Sequence, residues 1–261
     1  MANPRPCVRI VVIGNELLNG KVQDSNSPWL IRRLRDQGLV CSGLVCVPDL
    51  IEDIAAAVSS AAQKADFVIT SGGVGPTHDD VTMEGVAAAF GMELIEHPQL
   101  RAFLDEKWRG PRFPARLRMA RVPQGSDVLQ TEGFPVVRYR NVYIFPGVPR
   151  LFRSRFETVS HLFQGRPFSS SAVLTGQRES ELAPLLEEVL GLHTELEIGS
   201  YPRATESGWE VLLILEHDDE PTLDRARCAL IERLDPKQVL AIHERYQATP
   251  QPEKKRQEGP P

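Results

Sequence analysis

The chain has 261 residues and a formal net charge of -5, with 41% hydrophobic and 25% charged residues. That length can bury an ample core, as one large domain with an appendage or as two domains. The acidic balance excludes a dedicated nucleic-acid binder, and no apolar run nears the roughly 20 residues of a membrane-spanning helix, so the expected setting is the cytoplasm.

Val8 to Ile13, interrupted only by Arg9, predicts a buried parallel strand, too short for a signal segment. GNELLNGK follows from Gly14 to Lys21 and nearly imitates a phosphate-binding Walker loop. It sets five residues between Gly14 and Gly20 where four are needed, and Val22 stands where Ser or Thr would hold magnesium, so that reading is rejected. What remains is Gly14, Asn15 and Glu16 at a strand end. Asp24, Ser25 and Asn26 then precede the helical spacing of Trp29, Leu30, Ile31 and Leu34, with Ser27 and Pro28 as the helix start.

After the stop signal Gly38, Leu39 to Val47 predicts a second strand, closed by Pro48 and Asp49. Asp49 either caps the predicted helix Ile51 to Gln63 or faces a crevice at the strand ends. The scattered Cys7, Cys41, Cys46 and Cys228 show no CxxC and no zinc-like histidine spacing, and are expected as buried reduced thiols.

The stretch Phe67 to Thr82, FVITSGGVGPTHDDVT, carries the most chemistry. A short buried strand is broken by Ser71, Gly72 and Gly73, and then by Gly75 and Pro76. Asp79 and Asp80 follow, and Thr82 is the predicted N-cap of a helix from Met83 to Phe90. Glycines let backbone N–H groups approach a ligand, and a helix N-terminus favours a phosphate. The two carboxylates would repel that phosphate unless a divalent cation lay between them, so metal-bridged phosphate binding is favoured over a plain tight turn. His78 is a candidate general base, with a solvent-facing role as the more ordinary alternative.

Three strands alternating with helices predict βαβ units and a mainly parallel sheet, in which ligands collect at the carboxyl ends of the strands. Gly14 to Glu16, Asp49 and Gly72 to Asp80 all fall there. From Glu96 to Arg118 the pattern is helical but broken by Pro98, Gly110, Pro111 and Pro114. Its basic residues Arg101, Lys107, Arg109, Arg112, Arg116, Arg118 and Arg121 are expected to form a solvated face rather than meet an anionic substrate. Pro135 to Arg140 and Asn141 to Phe145 predict short strands. FPGVP, from Phe145 to Pro149, is a rigid turn whose Pro146 and Gly147 stand as a further wall of the crevice, ahead of an amphipathic segment Leu151 to Phe163.

GNELLNG, DSN at Asp24 to Asn26, VPD at Val47 to Asp49, TSGGVGPTHDDVT and FPGVP together resemble the molybdopterin-binding-like domain of the MogA/MoaB/MoeA superfamily. The similarity is nearest to CinA-type proteins and to the amino-terminal domain of eukaryotic FAD synthases, and runs over residues 8 to 163. It implies an α/β fold with a three-layer α/β/α, mainly parallel sheet. It also implies a metal-dependent pyrophosphatase acting on FAD or ADP-ribose, with magnesium, manganese or cobalt and room for potassium. On this resemblance Asp80, Asp79 and Asp49 are catalytic, Asp79 and Asp80 hold the metal, and Gly14, Asn15, Glu16, Asp24, Asn26, Gly72, Gly73, Gly75, Thr77, Thr82, Pro146 and Gly147 bind substrate. The partner implied is a small-molecule nucleotide, within a homo-oligomer. The alternatives are a non-catalytic molybdopterin or nucleotide binding module linked to molybdenum cofactor biosynthesis, and a scaffold with a relic pocket. Asn15 stands where many superfamily members carry Asp. Asp79 stands where adenylylating members carry Arg ahead of the essential Asp that aligns with Asp80, which argues against adenylyl transfer to molybdopterin.

Farther along, Ser169 to Leu174, Glu179 to Leu190, Leu196 to Tyr201, Trp209 to Glu216 and Pro221 to Leu234 read strand, helix, strand, strand, helix. That order predicts a ferredoxin-like α+β appendage, and GSYP at Gly199 to Pro202 looks like the corresponding segment of the same two branches. The expected division is a binding-type domain over 1–165, the appendage over 166–246 and a disordered tail over 247–261. The deamidase or adenylyltransferase domains of those branches are not expected after Leu240.

Overall fold

A computed structural model describes residues 5–107, 114–131, 133–193, 195–205 and 208–246. The expected tail 247–261 lies outside the described residues, as do Arg109, Gly110, Pro111 and Arg112. The chain divides into two compact units that part between Pro167 and Phe168.

Strand β1 (Cys7–Ile13) shows how the first unit is built. Val8, Ile10 and Val12 join one apolar cluster and Val11 and Ile13 another, because alternate side chains leave a strand on opposite faces. A strand buried on both faces reads as one continuous apolar run. Parallel to it lie β2 (Val40–Val47) and β3 (Phe67–Ser71), and β8 (Val142–Phe145) runs parallel to β3. Antiparallel β7 (Val136–Tyr139) and β6 (Asp127–Leu129) complete a six-stranded sheet of order β2-β1-β3-β8-β7-β6.

Helices cover both faces. On one side α2 (Asn26–Asp36) and α7 (Pro149–Val159) bury Leu30, Leu34, Phe152, Phe156 and Val159 against Ile10, Ile69 and Phe145. On the other, α3 (Ile51–Ala62), α4 (Thr82–Ala89) and α5 (Pro98–Lys107) bury Ile54, Val58, Val86, Leu100 and Leu104 against Val11, Val68 and Ile144. Each such fully buried side chain contributes about 1.5–3 kcal/mol. This is the expected three-layer α/β/α arrangement with a mainly parallel sheet.

The basic segment is only partly helical. Beyond α5, a four-residue α6 (Pro114–Leu117) runs into a 3-10 turn at Arg118–Ala120. It leads into β5 (Arg121–Pro123), which pairs antiparallel with β4 (Leu94–Glu96). Among the cysteines, Cys7, Cys41 and Cys46 are free and half-buried, and Cys228 is free and exposed, against the expectation of burial throughout.

The second unit runs β9 (Ser169–Thr175), α8 (Glu179–Leu192), β10 (Glu197–Thr205), β11 (Gly208–His217), α9 (Glu220–Arg233) and β12 (Val239–His243). Its sheet order, β10-β11-β9-β12, is antiparallel throughout, the ferredoxin-like βαββαβ arrangement. Val173, Val211, Leu213 and Leu215 pack against Leu182, Val189, Leu223 and Leu230 of the two helices. Among the described residues no helix is long and apolar enough to cross a membrane.

Candidate functional site

The carboxyl ends of β1, β2, β3 and β8 form one edge of the parallel sheet, and the motif residues gather along it. At the end of β1, the Gly14 N–H donates to the Val47 carbonyl at 3.2 Å. A Cβ on Gly14 would lie 2.6 Å from Glu16 Oε1, so the Glu16 carboxylate occupies the space a side chain would need. Asn15 opens the short helix α1 (Asn15–Leu18), and its N–H donates to Asp49 Oδ2 at 2.8 Å. Asp49 therefore caps α1 across the sheet edge rather than α3, whose cap position is Leu50 with no side-chain bond. The reason is geometric: the turn after β2 carries Asp49 toward the β1 end before α3 begins.

Asp24 Oδ1 accepts from the N–H groups of Asn26 at 2.9 Å and Ser27 at 3.1 Å, and so caps α2. Asn26 is 5% exposed, and its side-chain amide donates to Ser71 Oγ at 3.0 Å and to the Gly147 carbonyl at 2.7 Å. One side chain thus ties the start of α2 to the ends of β3 and β8. Burial pushes the Cys46 thiol up, and the carboxylates of Asp24, Glu16 and Asp49 push it further.

The glycine loop after β3 is tightly drawn. Gly72 has φ +114°, and a Cβ there would lie 2.1 Å from the Ile13 carbonyl oxygen. Gly73 has φ +62°, with Thr82 Oγ1 at 2.3 Å from its would-be Cβ. Buried Pro146 delivers Gly147, whose would-be Cβ stands 3.3 Å from Gly72 Cα. Three strand ends meet at backbone contact.

Thr82 does not act as the predicted N-cap. It is the first residue of α4, and its hydroxyl turns back to donate to the Gly72 carbonyl at 2.9 Å while its N–H donates to the Gly73 carbonyl at 3.0 Å. The left-handed glycines aim those carbonyls inward, where a buried acceptor must find a donor.

Asp80 folds back into the loop. Its Oδ2 accepts from the Thr77 N–H at 2.9 Å and from the Thr77 hydroxyl, and a Cβ on Gly75 would come within 2.7 Å of it. Asp79 is exposed. The His78 side chain is 97% exposed, with Nδ1 3.9 Å from Asp79 Oδ1, which fits the solvent-facing alternative.

From the sequence Arg118 is expected on a solvated face. Its Nη1 donates to the Thr77 carbonyl at 3.2 Å and its Nη2 lies 3.7 Å from Glu84 Oε1, so this residue belongs to the loop. Arg101 does behave as a surface residue, paired with Glu96 and Asp105. Arg153 of α7 reaches the Ser25 carbonyl at 3.4 Å and lies over the Trp29 ring. No local signal separates Arg118 and Arg153 from other surface arginines, since only the tertiary path brings them to the sheet edge. Among the described residues no group of three or more His, Cys, Asp or Glu side chains forms a metal cage.

Comparison with known proteins places the chain in a family. The family described as "Probable molybdopterin binding domain" matches residues 9–164, and "FAD synthase, middle domain" matches residues 167–242. A probable FAD synthase of Caenorhabditis briggsae is 32% identical over 260 residues, covering 88% of this chain and 50% of the relative. A CinA-like protein of Myxococcus xanthus is 40% identical over 159 residues, 58% of this chain and 38% of the relative. A protein of Pyrobaculum calidifontis is 33% identical over 240 residues, 86% of this chain and 92% of the relative. The chain thus spans half or less of the first two and most of the third. Among solved structures, CinA of Thermoplasma acidophilum, described as of unknown function, is 27% identical with a TM-score of 0.57, over 60% of this chain and 99% of that one. The chain belongs to the MoaB/Mog-like molybdopterin-binding domain family, joined to a unit of the FAD synthase middle-domain type and related to CinA-like proteins.

Proposed function

We propose that the protein is a metal-dependent nucleotide pyrophosphatase that hydrolyses the diphosphate of FAD or ADP-ribose. The observation that carries this reading is Asp80, held by Thr77 through Oδ2 inside a glycine loop at the carboxyl edge of the sheet. Among the described residues no hydrogen bond engages its other oxygen, Oδ1.

The donor set fits a hard divalent ion such as magnesium, manganese or cobalt. Magnesium is commonly held by one or two carboxylates together with substrate phosphates, so Asp80 and Asp79 suffice without an all-protein cage. Bound there, the ion would supply positive charge to a diphosphate that the loop carboxylates otherwise repel. The chain's own part is to bind and orient. Gly72 and Gly73 let the loop close against Ile13 and Thr82, Thr82 ties down the Gly72 and Gly73 carbonyls, Gly75 leaves room for the Asp80 carboxylate to fold back, and Asn26 holds the Gly147 wall in place. Water added across the P–O–P bridge places OH on one phosphorus and releases the other phosphate, yielding AMP with FMN or ribose 5-phosphate.

The second reading is a molybdopterin or nucleotide binding module without turnover, which the description of the family model matching residues 9–164 as a probable molybdopterin binding domain supports. Release of AMP from FAD and ADP-ribose, assayed with magnesium, manganese and cobalt against chelated protein, separates the two. The hydrolase reading expects metal-stimulated AMP. Ligand-induced thermal stabilisation with no AMP under any metal would instead support the binding module.

A further inference from the structure

Arg118 lies 38 residues after Asp80 in the chain, yet it closes the same turn. The Thr77 carbonyl accepts from the Asp80 N–H at 3.3 Å and from Arg118 Nη1 at 3.2 Å, while Asp80 Oδ2 accepts from the Thr77 N–H and hydroxyl. Glu84, in the first turn of α4, steadies the guanidinium from the other side. The turn itself is poorly braced: Pro76 to Asp79 are exposed and Gly75 has no side chain to pack. Arg118 therefore supplies a tie from outside the turn, anchored in the segment that leads into β5.

We infer that Arg118 is a positioning residue for Asp80: its guanidinium, braced by Glu84, clamps the Thr77 carbonyl and so fixes the direction of the Asp80 carboxylate. The inference rests on the reading of Asp80 as a cation ligand, and it makes a prediction of opposite sign to simple electrostatics. A nearby positive charge opposes cation binding, so deleting an unconnected arginine tightens it. Deleting a clamp weakens it, because partners that orient a metal ligand typically govern about 10–100-fold in affinity.

Two measurements on the full chain test this. Manganese binding to wild type, Arg118→Ala and Arg118→Lys is titrated by electron paramagnetic resonance, and amide hydrogen exchange over residues 76–81 is followed in metal-free protein. Arg118→Ala should weaken manganese binding about tenfold and speed exchange at the turn, with melting temperature near wild type because the side chain is 40% exposed. Arg118→Lys keeps the charge with a single donor head and should recover only part of both. Unchanged exchange, or unchanged or tighter manganese binding in Arg118→Ala, overturns the inference. Wild-type protein that takes up no manganese would remove the cation reading of Asp80, and faster exchange in Arg118→Ala would then still uphold the clamp.

Discussion

The Asn26 side-chain amide reaches the Gly147 carbonyl at 2.7 Å across 121 residues of chain, and the same nitrogen donates to Ser71 Oγ. Asn26→Leu would remove both bonds and leave two acceptors at the sheet edge without that donor. An unmet buried polar group costs about 1–3 kcal/mol, so chemical denaturation should show a loss in that range. A stability equal to wild type would mean that Ser71 and Gly147 find other partners.

The glycines of the first unit are not equivalent. Gly72→Ala meets both a left-handed φ of +114° and a backbone oxygen 2.1 Å from the new Cβ, and a main-chain carbonyl cannot swing aside. Gly20 has φ +73° with nothing within 4 Å of the would-be Cβ, so Gly20→Ala should cost only the left-handed penalty of about 1–2 kcal/mol. Thermal melts of the pair should rank Gly72→Ala far below Gly20→Ala, and the reverse order would contradict the packing described for the strand ends.

Asp219 caps α9 by accepting from the Thr222 N–H at 2.9 Å, and hydrogen bonding with the Thr222 side chain holds its carboxyl below the ordinary range. The folded-state value is depressed, so the stabilisation is complete above the unfolded-state pKa and is lost as pH falls through the folded-state one. Asp219→Ala should therefore melt lower than wild type at pH 7, with the gap closing as the medium is acidified below the ordinary aspartate range. A gap that persisted or widened there would rule out the cap as its source.

Much of this architecture is legible in the chain. The run Val8 to Ile13 is apolar because both faces of that strand are covered, and that burial also makes it easy to read, whereas Leu39 to Val47 is legible by its apolar run although Val40, Leu44 and Val45 of this edge strand are exposed. Strands β4, β5 and β6 have three residues each, too few for a period of two to emerge, and β12 lies beyond the last predicted helix. Within the site, the glycines and Asp80 announce themselves by type and spacing. The partners of Asp49 and Thr82 do not, because a side chain that could cap its own helix turned instead to a strand end distant in sequence. Arg118 was hidden for the same reason: its role comes from the path of the chain, not from its neighbours.

Asp80→Asn keeps the size of the side chain and its acceptance from Thr77 while removing the charge. If Asp80 holds the cation as proposed, turnover of FAD or ADP-ribose should fall by at least about 100-fold. The melting temperature should stay close to wild type. A variant that turned over at the wild-type rate would place the chemistry elsewhere.

If a divalent ion joins the loop carboxylates to a diphosphate, metal and substrate must reinforce each other's binding. Calorimetry of ADP-ribose, or of FAD, with wild-type protein in saturating magnesium and again after chelation measures this coupling directly. Affinity should fall at least about tenfold without the ion, a coupling of roughly 1.4 kcal/mol, and Asp80→Asn should erase most of that difference while changing metal-free binding little. Equal affinity with and without the ion would mean that the loop holds phosphate through backbone amides alone, and the pyrophosphatase account would lose its mechanism.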